Sequence, residues 1–167
     1  MRRFLLIAVI SLFAFPATAF ASAGAVGDGS LSVTNANVNS IVVAGHGLIY
    51  GYVDQGAVTV ISYTPDDSNQ FQISGATAPI RSPAGGTRYA GSAMRFLISG
   101  SYVLKFEGSG INLSAVGKGT ASAMGSDAAS SDGTLVANGG KPQLLGHSQT
   151  VSSYGSTALA TAAKSGP

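Results

Sequence analysis

The sequence predicts an all-β fold, namely a single antiparallel β-sandwich or barrel, with a β-solenoid as the alternative. Three observations predict it. Apolar and polar residues alternate with a period of two in many short runs, which are bounded by Gly, Asn, Asp and Pro. No run beyond the N-terminal segment has a convincing helical period. The 23 Gly of the 167 residues are spread at turn-like intervals without a collagen-like triplet.

The N-terminal segment has the three parts of a secretory signal peptide. Arg2 and Arg3 precede an apolar run from Phe4 to Phe15, and small residues follow it. Spanning a bilayer takes roughly 20 apolar residues, and this run is shorter. We therefore expect cleavage rather than membrane anchoring, which places the product in the periplasm or outside a bacterial cell.

The predicted cleavage site follows an A-x-A motif. Its residues are Ala19, Ala21 and Ser22, so residues 1–21 are removed and Ser22 becomes the first residue. An overlapping motif, Ala17-Thr18-Ala19, would start the product at Phe20 instead.

Composition excludes several classes of protein once the signal peptide is removed. Loss of Arg2 and Arg3 leaves seven basic and seven acidic residues, so the pI near 9.0 mostly reflects the signal peptide. Nucleic acid is therefore not an expected partner. The chain has no Cys, which excludes disulfides and a lipid-modified N-terminal cysteine. The C-terminal residues form no second apolar segment, and we expect no transmembrane anchor in the mature form.

Predicted strands follow one another along the mature chain, with turns between them. A flexible segment is expected at 22–29, a β domain at 30–155 and a disordered tail at 156–167. Turns are expected at 35–39, 45–47, 54–56, 65–67 and 99–100, a hairpin bend after Gly108, an irregular loop at 75–86 and a linker at 125–131. The predicted strands are 31–34, 40–44, 48–53, 57–63, 71–74, 93–98, 102–107, 111–116, 120–124, 133–137 and 143–145.

One predicted strand also predicts a core face. Tyr102, Leu104 and Phe106 share one side of residues 102–107, whereas Lys105 and Glu107 share the other. This alternation is typical of a sheet with one buried and one solvated face.

The segment from Gly108 to Gly119, GSGINLSAVGKG, resembles a strand–turn–strand of small secreted bacterial all-β proteins that have no characterised activity. The resemblance covers residues 95–124. It implies a β fold and carries no functional residue over to this chain.

Tests for known chemistry predict no catalytic, cofactor-binding or metal site. The segment at 108–119 lacks the spacing of a phosphate-binding loop, and no G-x-S-x-G motif occurs. His46 is interpreted as a turn residue between two glycines and His147 as a surface residue. Two distant His without Cys do not predict a zinc site. The run Asp66-Asp67-Ser68-Asn69 is interpreted as a turn rather than a weak calcium site.

The best hypothesis is an exported, non-enzymatic structural or binding module of the cell envelope or extracellular space. Its partner would be an envelope component, a polysaccharide or a second copy associating through sheet edges. The alternatives are a hydrolase that uses Asp54, Asp66 or Glu107, and a small outer-membrane barrel. The barrel needs longer strands and more aromatic residues than this sequence offers.

Overall fold

The computed structural model describes residues 27–126 and 132–155. These residues form seven strands in an antiparallel arrangement, which confirms the all-β prediction. They contain no helix that could cross a membrane. The predicted signal peptide, the core of the predicted linker and the predicted tail lie outside the described residues. The strands are β1 Gly29–Thr64, β2 Phe71–Ala76, β3 Ile80–Arg81, β4 Thr87–Gly125, β5 Thr134–Ala137, β6 Gln143–Leu144 and β7 Thr150–Tyr154.

Strands β1 and β4 form one long ribbon that is wound up on itself. Most residues in the middle of β1 have two partners in β4, one on either side. Gly47, for example, pairs with both Gly100 and Gly117, and Val58 pairs with both Tyr89 and Phe106. The two partners lie 17 residues apart in each case. Because the two β4 partners of a β1 residue always differ by 17 residues, the β1–β4 ribbon must make a full turn and then pair with its own next turn.

The winding arranges the sheet in two layers. Ribbon segments 29–36, 47–55, 92–99 and 109–117 pair side by side in the first layer, with β2, β5 and β6 beside them. Segments 38–46, 56–64, 87–91, 101–108 and 118–125 form the second layer, with β3 and β7. The layers pack face to face, since the rings of Phe96 in the first and Phe106 in the second lie 5.0 Å apart.

The pairing settles the architecture that the sequence left open. All strand pairs among the described residues are antiparallel, whereas the β-solenoid alternative stacks parallel rungs. The sheet does not close into a barrel: its outer members β2, β6, β3 and β7 leave it open.

The ribbon passes from one layer to the other at bends, and several predicted turns were wrong because they are such bends. Residues 35–39, 45–47, 54–56, 99–100 and 108–110 all lie inside β1 or β4. Gly56 and Gly108 illustrate the reason: they pair with each other and have φ of 148° and 128°. Glycine adopts these angles readily, so the chain bends sharply without losing its ladder. Residues of the kind that end a strand in a hairpin therefore change only the direction of the strand in this fold.

The core lies between the layers. Leu104 and Phe106 are fully buried, as the alternation with Lys105 and Glu107 predicts. Ile41, Ile49 and Ile98 are buried beside them. Burying large apolar side chains from both layers supplies the main stabilisation of a chain without disulfides.

Two glycines beside the core, Gly45 and Gly119, make room for an aromatic ring. Tyr154 of β7 extends across Gly119 and Gly45 to reach Tyr102, and the two hydroxyl oxygens lie 3.2 Å apart. A Cβ atom at Gly45 would lie 2.4 Å from the Tyr154 hydroxyl oxygen. The missing side chains therefore let a buried tyrosine pair fasten β7 to the ribbon.

The peripheral strands agree with the sequence only in part. The predicted strands at 133–137 and 143–145 are present as β5 and β6, around the turn at Asn138 and Gly139. The loop predicted at 75–86 was too long, because β2 continues to Ala76 and β3 forms a short hairpin with the start of β4. Strand β7 was not predicted.

Candidate binding groove on the outer face

The outer surface of the first layer carries a shallow groove of about 310 Å³. Three neighbouring ribbon segments build it, and they run side by side with segment 109–117 in the middle. Alternation along each strand points every second side chain outward. The residues that line the groove are Ser32, Val33, Thr34, Tyr50, Gly51, Tyr52, Asn112, Leu113 and Ser114.

Register places the polar side chains in rows across the strands. Ser114 pairs with Ser32 on one side and with Tyr50 on the other. Asn112 pairs with Tyr52 in the next row. Small side chains therefore occupy the middle strand, and two tyrosines stand along one border of the groove.

The two tyrosines differ in their surroundings. The hydroxyl of Tyr52 donates to Asp54 Oδ1 at 2.7 Å, which fixes its position. This hydrogen bond, with a smaller effect of desolvation, raises the pKa of Tyr52. Tyr50 is 46% exposed, and its hydroxyl has no hydrogen-bond partner among the described residues. Tyr50 thus presents both a ring and a hydroxyl to solvent.

Asn112 is held in place by the backbone around it. Its Oδ1 accepts from the N–H of Asn35 at 3.0 Å, and its Nδ2 donates to the carbonyl of Gly110 at 3.1 Å. Asn35 has a φ of 49° at a register shift of β1, which turns its N–H toward the amide. The amide keeps one N–H and one lone pair for a ligand.

The residues lining the groove are all uncharged, which distinguishes it from other depressions on the surface. A depression on the second layer includes Arg88, Lys105 and Glu107. Another, at the end of β1, includes Asp28 and Asp66. Strong electrostatic selection for a charged ligand is therefore possible at those places, whereas the groove favours a neutral one.

The three acids of the hydrolase alternative lie in different places. Asp54 bonds to Tyr52 beside the groove. Glu107 bridges Lys105 at 2.5 Å and Arg88 at 3.5 Å, so it lies on the outer face of the second layer, next to Lys105 as predicted. Hydrogen bonding to Lys105, together with the charges of both cations, lowers the pKa of Glu107. Asp66 lies at the far end of β1.

Asp66 organises a turn. Its Oδ1 accepts hydrogen bonds from the hydroxyls of Ser68 and Ser99 and from the backbone N–H groups of Ser68 and Asn69. These donors, the Ser68 hydroxyl above all, lower the pKa of Asp66. The turn predicted for residues 66–69 is confirmed. Its carboxylate holds the turn against the buried Ser99 and remains ionised at neutral pH, which is unsuited to proton donation.

The two histidines have surface positions. His46 lies within β1 rather than in a turn, and its Nδ1 is 3.0 Å from the hydroxyl oxygen of Ser101 on the neighbouring segment. His147 is exposed, as predicted. Among residues 27–126 and 132–155, no three potential ligands of the His, Cys, Asp and Glu types converge on a common point.

Comparisons with protein-family models, with curated proteins and with solved structures find no match to this chain.

The groove residues were missed in the search for chemistry because that search followed charged and nucleophilic residues. A signal was present: Tyr50 and Tyr52 are two residues apart in a predicted strand, so they share a face. Which face they share depends on Ile49 and Val53, whose burial only the folded ribbon reveals. The position of Asn112 opposite Tyr52 depends on a pairing across 60 residues, which spacing alone does not give.

Proposed function

We propose that this chain is an exported, non-enzymatic binding module that attaches to a component of the cell envelope or its surroundings through the groove. One observation carries the proposal: the groove combines an exposed tyrosine with fixed polar side chains and contains no charged or nucleophilic constellation. Sites that fix a ligand typically present an apolar or aromatic surface with a few well-placed polar groups. Tyrosine suits this role because it offers a rigid, amphipathic surface at low cost in conformational entropy.

The three acids of the hydrolase alternative support a non-enzymatic role. Asp54, Asp66 and Glu107 each serve a local interaction, and the pKa values of Asp66 and Glu107 are shifted downward. A general acid at neutral pH needs the opposite shift. The specific observation that favours a hydrolase instead is the depression lined by both Asp28 and Asp66.

Binding to isolated envelopes tests the proposal. The chain, recovered in the form that its host produces, should sediment with envelopes from the same host. Tyr50→Ala should reduce the bound fraction roughly tenfold or more, since it removes the exposed ring. Val151→Ala is the matched control because Val151 is 64% exposed on β7 in the second layer. Equal binding of the two variants would refute a role for the groove.

The enzymatic alternative has its own test. Asp28, Asp54, Asp66, Asp67 and Glu107 are replaced one at a time by the matching amide, and hydrolysis of envelope material is followed by product release. The proposal expects no product from the parent chain. If one amide abolished a measurable turnover while fold and binding persisted, the chain would be an enzyme.

Export is tested by sequencing the N-terminus of protein recovered from outside the cytoplasm. The expected first residue is Ser22, or Phe20 if the earlier motif is used. Recovery of the chain from membranes with Met1 still attached would contradict export with cleavage.

A further inference from the structure

We infer that the ligand of the groove is a neutral polysaccharide, whose sugar ring stacks on Tyr50 while its hydroxyl groups bond across the rows. This inference rests on the proposed function and narrows its ligand to one chemical class. Four features of the groove support it: its hydroxyl groups, the exposed ring of Tyr50, its position among paired strands, and its dimensions together with its uncharged lining.

The hydroxyl groups provide the first argument. The side-chain hydroxyls of Ser32, Thr34, Tyr50 and Ser114 have no hydrogen-bond partner among the described residues. Each hydroxyl can donate one hydrogen bond and accept others. Sugar hydroxyls can likewise both donate and accept, so in each pair either the protein hydroxyl or the sugar hydroxyl can be the donor. The fixed amide of Asn112 adds one donor and one acceptor between them.

The exposed ring of Tyr50 provides the apolar part of the contact. The face of an aromatic ring carries partial negative charge. The C–H groups on one side of a pyranose ring carry partial positive charge and form a flat apolar surface. Stacking of the two surfaces is therefore favourable, and it requires an exposed aromatic ring; Tyr50 is 46% exposed.

The position of the groove disfavours a peptide ligand. Extended peptides commonly bind by adding a strand to a free sheet edge. The groove lies in the middle of the first layer, where segment 47–55 pairs with β4 on both sides and segment 29–36 pairs with β4 and β5. The backbone groups here are already used in the sheet. Only side chains remain to recognise a ligand.

Dimensions and charge fit a short stretch of neutral polysaccharide. Three strands at ~4.8 Å spacing make the groove about 10 Å wide, and two rows of side chains extend it by about 7 Å along the strands. This area is of the order of a disaccharide. None of the lining residues is charged. The two charges beside Tyr52, on Asp54 and on Arg95 of the paired strand, are opposite in sign, so a charged ligand would gain no net attraction there.

The test measures retention of the chain in native gels that contain one polysaccharide each. The neutral probes are a soluble β-glucan, a soluble α-glucan and a soluble chitin derivative that carries no charge; polygalacturonate is the anionic counterpart. The inference predicts retention by at least one neutral probe and none by polygalacturonate. Retention should be the same at 50 and 500 mM salt, since a contact without charges is not screened.

Variants identify the residue responsible. Tyr50→Ala should weaken retention roughly tenfold or more, whereas Tyr50→Phe, which keeps the ring, should retain within about threefold of the parent. Val151→Ala should match the parent. Thermal unfolding of each variant shows whether the fold persists; because Tyr50 is exposed, Tyr50→Ala should remain folded.

The outcomes separate the two proposals. Failure of all three neutral probes, or retention that falls with salt, would overturn the polysaccharide ligand. If envelope binding still depended on Tyr50, the proposed function would stand with a ligand of another class, such as a protein. If Tyr50→Ala altered neither retention nor envelope binding, both proposals would fail.

Discussion

The inner and outer faces of the same ribbon differ in what they do. On segment 102–107, Leu104 and Phe106 point inward and are fully buried, whereas Lys105 and Glu107 point outward and form an ion pair. On segment 47–55, Ile49 points inward and Tyr50 points outward. Inner residues are constrained by packing, and outer ones are not. The residues that stabilise the fold and those of the proposed binding surface are therefore separated by a single residue step along the chain.

The largest loss of stability is expected at Phe106, on the inner face. Phe106→Ala removes a buried ring that packs on Phe96 and should lower the free energy of unfolding by about 3–5 kcal/mol. The neighbouring change Lys105→Ala breaks a half-exposed ion pair and should cost well under ~1 kcal/mol. Urea unfolding of both variants measures the two values. Similar losses would mean that the inner and outer faces have been assigned wrongly.

A somewhat smaller effect is expected at the bends that separate the two layers. Gly56→Ala would place a Cβ atom 1.9 Å from the carbonyl oxygen of Glu107 at a φ of 148°. Backbone strain of about 1–3 kcal/mol and displacement of the paired strand should together cost ~2–4 kcal/mol.

Gly146→Ala is the matched control for this bend. A Cβ atom at Gly146 meets nothing within 4 Å, and its φ is not in the left-handed region. The free energy of unfolding of Gly146→Ala, measured in urea beside that of Gly56→Ala, should therefore stay within about 0.5 kcal/mol of the parent. A tolerated Gly56→Ala would show that the bends do not depend on glycine.

The buried tyrosine pair is an exception on the inner face, because it is polar. Tyr154→Phe leaves the hydroxyl of Tyr102 without its partner and should cost about 1–2 kcal/mol. The double variant Tyr102→Phe/Tyr154→Phe should cost less than the sum of the two single variants, since no hydroxyl is then left unpaired. Strict additivity in chemical unfolding would mean that the two hydroxyls do not interact.

The same tyrosine pair should make the stability of the fold depend on pH in the alkaline range, an effect that is absent at neutral pH. Burial raises the pKa of Tyr102 and of Tyr154 above the ordinary value of 10.0. Below pH 10 the folded and the unfolded chain both keep these protons, and the full stability is present. Above pH 10 the unfolded chain releases them first. Stability should therefore fall as pH rises from 10 through the pKa values of the folded state. The double Phe variant should show a shallower fall in unfolding midpoint between pH 9 and 11 than the parent, and an identical slope would contradict the assignment.

Much of the fold was predictable because alternation is a local signal. The faces of segment 102–107 and the turn at Asp66 follow from neighbouring residues. The bends could not be predicted in this way. A glycine such as Gly56 or Gly108 fits a hairpin turn as well as a bend inside a continuous strand, and only the residues that pair with it distinguish the two cases. Strand β7 was not predicted because the burial of Tyr154 depends on the space above Gly45 and Gly119, which are far away in sequence.

The candidate site was harder to predict than the fold. Its residues come from three segments that are brought together by the winding of the ribbon, and none of them belongs to a motif with known spacing. Tyr50 and Tyr52 were visible as a pair on one face. Their neighbours Asn112 and Ser32 became visible only with the register of β1 against β4 and β5.

The wound ribbon also determines how the chain can acquire its structure over time. Val60 pairs with Thr87, close to the loop between the two long strands, whereas Gly29 pairs with Gly117, which is 88 residues away in sequence. Topologies dominated by such distant pairings fold in milliseconds to seconds, far slower than helical bundles. Zipping from the loop outward leaves the N-terminal part of β1 until last, since β5 must also be present. A chain whose first strand can pair only after residue 117 has been synthesised stays extended for longer, which would favour the proposed export through a narrow channel.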